Sequence, residues 1–126
     1  MLWLYVALGG AAGSVLRYLL GTAFHSWVPG TFPVGTLVIN VTGSFLLGLI
    51  LQSSNGNAAV SPELRVLLAV GFCGGYTTFS AFSWETLQLI HAAQWGRALG
   101  YVALSVIVSL GATLLGVLAG GLRRGS

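Results

Sequence analysis

The sequence predicts an all-α integral membrane fold of four transmembrane helices, the third of them broken, on three observations. The 126 residues are 56% hydrophobic and only 6% charged, with a mean hydropathy of +0.90, which leaves too little polar material to cover a water-soluble domain. Apolar stretches of ~20 residues, the length that crosses a hydrocarbon core, recur four times between short polar connections and use nearly the whole chain. Within the third stretch lies Gly74-Gly75-Tyr76-Thr77-Thr78-Phe79-Ser80-Ala81-Phe82-Ser83, helix-breaking, hydroxyl-rich and aromatic where a span in lipid would be uniformly oily. A single domain over residues 1–126 is expected, with spans at about 2–24, 35–51, 62–91 and 97–120 and a break near 74–78.

The first stretch follows Met1 without a basic leader or a small-residue cleavage site and carries Arg17, so it is expected to be retained as a span. Pro29-Gly30 and the interfacial Trp27 mark its connection to the second. Asn55-Gly56-Asn57 sits in the most polar loop, after which Ser61-Pro62-Glu63 starts the third helix. Serine caps it, proline suits its first position, and the acid faces the positive end of the helix. Continuous to His91, this helix would exceed one bilayer crossing, so two part-helices around an unwound middle are predicted. The fourth span closes at Gly120-Gly121, with Arg123 and Arg124 as basic anchors.

All five basic side chains are arginine, and the two acids are Glu63 and Glu85. Scattered near span ends, these arginines suit headgroups of the lipid bilayer and do not form the basic face of a nucleic-acid binder. Arg65, Arg123 and Arg124 fall on one side of the membrane, Arg97 and the deeper Arg17 on the other. So small a bias specifies neither orientation strongly, and the assembly that accommodates both is an antiparallel, dual-topology homodimer. Cys73 is the single cysteine and reads as a small buried apolar residue. Small residues four apart (Gly9 and Gly13, Ser44 and Gly48, Ala112, Gly116 and Gly120) predict close helix crossings.

Irregular backbone at membrane depth is tolerated only where protein or a water-filled cavity satisfies it, so the broken third span predicts an ion or solute site. Asn40, in the middle of the second span, offers two donors and an acceptor, and serves either as interhelical glue or as a pore group. Phe79 and Phe82, three apart on a helix, project from one face; they serve either as core packing or, with two positive ring edges aimed at one point, as a weakly polar environment for an anion. Tyr101, Ser105, Ser109 and Thr113 recur every four residues as a hydroxyl stripe. Arg17 and Glu85 are costly within a span and need water or partners; they serve either as simple anchors or functionally, with Arg17 snorkelling to the interface to concentrate anions and Glu85 in a vestibule. His25 and His91 read as interfacial. No nucleophile–base pair or metal-ligand cluster suggests an enzyme.

Taken together, these residues resemble the Fluc (CrcB) family of bacterial fluoride channels over essentially the whole chain. Gly9 to Tyr18 is similar to the family's first-span motif, Gly35-Thr36 through Phe45 to its second, and Gly71 to Ser80 to its third; the fourth span contributes Tyr101 and Ser105. The resemblance implies passive fluoride export across the bacterial inner membrane by an antiparallel homodimer with two pathways. It assigns Asn40, Phe79, Phe82, Tyr101, Ser105 and Ser109 to the pathway, and Arg17, Thr36, Ser80 and Glu85 to vestibule or accessory positions. It also implies a structural, untransported sodium ion on the carbonyls of Gly74 and Thr77, a use of freed carbonyls that broken spans share with transporters. Ala81 departs from the family's usual threonine and removes a hydroxyl. The alternative is a small dual-topology drug/proton antiporter, which would need an essential carboxylate that the first span lacks; a non-transporting assembly protein held by polar interhelical contacts is a third reading.

Overall fold

The computed structural model describes residues 1–125, with side chains through Leu122; the predicted anchors Arg123 and Arg124 lie outside the described side chains. Every regular element among the described residues is helical. Four segments are long and apolar enough to cross a membrane: Leu2–Trp27 (α1), Val34–Ser54 (α2), the third span Pro62–His91, and the apolar body of Trp95–Gly125 (α6).

The third span is composite. Pro62–Arg65 (α3) opens it, with Ser61 Oγ accepting from the Leu64 N–H at 3.1 Å. Val66–Cys73 then widens into π-helical turns, Gly74–Tyr76 (α4) tightens again, and Thr77-Thr78 is extended before Phe79–His91 (α5). Thr77 has ψ 157° and Thr78 has φ −149° and ψ 117°, so two residues carry the break. Thr78 Oγ1 caps α5 by accepting from the Ala81 N–H at 3.1 Å. At the far end, Ala93 takes the left-handed conformation (φ 58°), so that Gln94 N–H bonds back to Leu89 O and the chain turns directly into α6.

Packing interleaves the spans: α1 lies on the first half of the third span, and α2 lies along α6. Glycines set both crossings. A Cβ on Gly9 would collide with Leu67 O, and one on Gly13 with Phe72 O; on the other pair, Gly48 meets Thr113 O and Gly116 meets Phe45 O. With no hydrophobic drive between helices in lipid, such backbone-to-backbone approach supplies the dispersion contact that holds the bundle. Leu89, Ala98 and Tyr101 form a small buried core between α5 and α6, with Phe32, Leu37, Phe82 and Ile90 against it. That core carries the inner aromatic residues of the site.

Candidate functional site

The break is held open by α2. Asn40 Nδ2 donates to Thr78 O at 3.0 Å, and Asn40 Oδ1 accepts from Thr78 N–H at 2.8 Å, so one amide occupies both polar groups of an extended residue. This pairing also fixes which end of the amide is nitrogen, because a carbonyl only accepts and an N–H only donates. From α1, Arg17 Nε donates to Gly75 O at 3.1 Å, with Ser14 Oγ 3.5 Å from the same oxygen. Thr77 Oγ1 bonds Cys73 O at 2.9 Å, and Thr42 Oγ1 meets Tyr76 OH at 2.9 Å. The irregular backbone thus draws partners from the first and second spans and from its own hydroxyls.

Two recesses flank Thr78. The larger, about 740 Å³, lies between α1, the 28–33 connection, α2 and α5, and includes Arg17, Thr36, Ala81 and Glu85 in its wall. The smaller, about 420 Å³, brings together Asn40, Gly74, Thr77, Phe79, Phe82, Ser105 and Ser109. Thr78 lines both.

Between them runs a chain of aromatic and polar contacts. Phe79 and Phe82 have ring centroids 5.5 Å apart and tilted by 48°, and Phe82 meets Tyr101 at 5.2 Å and 49°. Tyr101 is fully buried, and its hydroxyl donates to Glu85 Oε1 at 3.1 Å, while Thr36 Oγ1 donates to Glu85 Oε2 at 2.9 Å. Both carboxylate oxygens therefore have a donor, a necessity for a carboxylate at this depth. Phe79 is 78% exposed in the single chain, in contrast to the half-buried Phe82.

Of the residues read from sequence, Asn40, Phe79, Phe82, Ser105 and Ser109 converge on the smaller recess; Tyr101 lines neither recess, and its buried ring packs against Phe82. Arg17, Thr36 and Glu85 line the larger one, where Arg17 bonds the break and Glu85 bonds α2 and α6. Ser80 lines neither: it is exposed, with Oγ 3.2 Å from Thr78 Oγ1. Thr113 Oγ1 is spent on Ser109 O at 3.0 Å, which removes it from the stripe of available donors. Ser105 differs, for its Oγ is buried with no partner in the chain, an orphaned hydroxyl in the wall of the smaller, mostly apolar recess.

Sequence reasoning missed Thr78 and Ser14. Thr78 carried a usable signal, a hydroxyl residue at the N-cap position ahead of a helical run. Ser14 carried none, because its relation to Gly75 is set by the α1 crossing. Ala81, where a hydroxyl is missing, faces the larger recess on the same side as Thr36 and Glu85.

Comparison with known proteins adds an independent line. Residues 4–117 match the family model described as CrcB-like protein, Camphor Resistance (CrcB). A protein of Nitrobacter winogradskyi named fluoride-specific ion channel FluC is 46% identical over 114 residues, covering 90% of each chain. Proteins of the same name from Flavobacterium psychrophilum (47% over 114 residues, 90% of this chain and 92% of the relative) and Solibacter usitatus (44% over 118 residues, 94% and 97%) are similar throughout.

Proposed function

Because the chain belongs to the CrcB-like family, we propose that it is a fluoride-selective passive channel that exports F⁻ from the cytoplasm across the bacterial inner membrane. The relatives it matches are named ion channels, not enzymes, and no reaction is assigned to this multi-pass membrane protein. The observation that carries the reading is the orphaned Ser105 hydroxyl in a recess shared with the Asn40 amide and the Phe79 and Phe82 rings. Fluoride holds its water strongly, so a narrow path must replace that water with close donors; chloride is too large to be served by the same donors. Ring edges and hydroxyls provide such donors without a fixed positive charge that would trap the ion. Arg17 lines the larger recess, where its charge raises the local anion concentration.

Ion-selective electrodes on proteoliposomes test this directly. The expected result is fluoride efflux well above that of protein-free vesicles, with chloride efflux at their level. Equal rates for the two anions, or no fluoride efflux, would overturn the reading.

The same reading makes the functional unit an antiparallel homodimer with two pathways. Supporting it are the balanced arginines, the 78% exposed Phe79, and the exposed Gly74, beside which a Cβ would meet nothing within 4 Å. Termini tagged for impermeant labels should react from both faces of the membrane in similar amounts; reaction from one face only excludes the antiparallel arrangement.

A structural sodium ion, not transported, completes the reading. Gly74 and Thr77 present carbonyl oxygens at the break, and a hard cation suits oxygen ligands. When bound, it would lend positive charge to the interior through which an anion passes.

A further inference from the structure

A helix running unbroken through the third span would send the Thr78 N–H to the Gly74 carbonyl and the Ala81 N–H to the Thr77 carbonyl, each four residues back. Side chains divert both. Thr78 N–H donates to Asn40 Oδ1 at 2.8 Å, and Ala81 N–H donates to Thr78 Oγ1 at 3.1 Å. Two neighbouring carbonyls are satisfied in other ways: Cys73 O accepts from Thr77 N–H at 3.0 Å and from Thr77 Oγ1 at 2.9 Å, while Gly75 O accepts from Arg17. Of the carbonyls at this break, Gly74 and Thr77 are the two whose helical donors have been drawn away by a side chain, and both residues line the smaller recess. An oxygen in that state, at membrane depth, needs another positive partner.

We propose that Asn40 is a positioning residue for the cation site, keeping the Gly74 carbonyl free for Na⁺ by holding both the N–H and the C=O of Thr78. The inference rests on the sodium reading above and adds to it a cause in the second span. Asn40 Nδ2 carries two protons; one is committed to Thr78 O, which leaves a single donor for an anion. The pathway amide and the cation site are therefore parts of one hydrogen-bonded unit. Disturbing Asn40 should change sodium binding as well as flux, whereas disturbing the aromatic rings should change flux alone.

The experiment uses the purified, detergent-solubilised protein after exchange into N-methylglucamine buffer. Two readouts are followed as NaCl is added at constant ionic strength: the melting temperature and the sodium retained after gel filtration. Wild type and Phe82→Ile should show the same sodium-dependent rise. Asn40→Asp, which keeps an acceptor for the Thr78 N–H, should also respond. Asn40→Leu, close in size but without an acceptor, should need at least tenfold more sodium for the same rise. If Asn40→Leu yields no folded protein, Asn40→Ala, which overfills nothing, carries the same expectation. A wild-type response in the acceptor-free variant, or loss of the response in Asn40→Asp as complete as in Asn40→Leu, overturns this inference and leaves the sodium reading standing. Absence of any sodium response in wild type overturns the sodium reading itself, and this inference with it.

Discussion

Replacing Phe82 by isoleucine is expected to lower fluoride efflux from proteoliposomes by roughly tenfold to a hundredfold while the protein remains folded. A contact to a charged group is worth ~1.5–3 kcal/mol, and each ~1.4 kcal/mol added to a barrier slows passage tenfold. Isoleucine removes the ring edge but fills much of its volume, so the cost to packing against Tyr101 and the small core around it stays within the ~1.5 kcal/mol typical of conservative core exchanges. Electrode traces and gel-filtration profiles of the same preparation separate the two effects. Unchanged flux with an intact protein would remove Phe82 from the pathway; loss of the folded species would assign it to packing.

The second large effect concerns stability. Gly13→Ala is expected to cost more than ~3 kcal/mol, beyond the usual range for overpacking, because what the new methyl meets is backbone. Its Cβ would collide with Phe72 O and lie 2.8 Å from Tyr76 N, and neither can swing aside as a side chain would. The helices must separate, and α1 then loses its crossing with the third span. Gly111→Ala is the control: that glycine lies in α6, and a methyl added there would meet nothing within 4 Å. Removing its backbone freedom should leave stability unchanged or raise it by ~0.4–1 kcal/mol. Melting curves in detergent should show the two alanines moving in opposite directions or, at least, only the first causing a loss. Equal melting temperatures would refute the glycine crossing as the determinant of this packing.

Much of this architecture is legible because lipid imposes few and severe rules. Hydropathy reveals the four spans, and Ser61-Pro62-Glu63 marks the start of the third because capping is a local reaction between neighbours in sequence. Gly74 to Thr78 advertises a break because glycines and hydroxyls have no other reason to crowd an oily stretch. The π-helical winding of Val66–Cys73 leaves no such mark. Those eight residues are apolar in any winding, and their turns are widened where Leu67 and Phe72 carbonyls lie against Gly9 and Gly13 of another helix. The same holds for the partners of the break. Asn40 is visible as a polar residue at depth, but its engagement with both polar groups of Thr78 depends on a crossing 38 residues away in sequence. Ser80 shows the converse limit: a hydroxyl inside a suggestive motif turns outward once the helix phase is set by Thr78 and Phe79.

The interleaved pairing of spans bears on the order in which the protein can be made. Each helix satisfies its own backbone in lipid and can be inserted alone, before it has found a neighbour. Yet Gly9 and Gly13 of α1 close on the third span, and Gly48 of α2 closes on α6, which leaves the ribosome after the other three spans. During synthesis the faces carrying Gly9, Gly13 and Gly48 wait uncovered in the bilayer, while α1 and α2 can already meet at Gly21 and Gly35. The two glycine crossings therefore form in succession, so that a nascent chain lacking α6 is inserted but only partly assembled, without the α2–α6 wall against which the site is built.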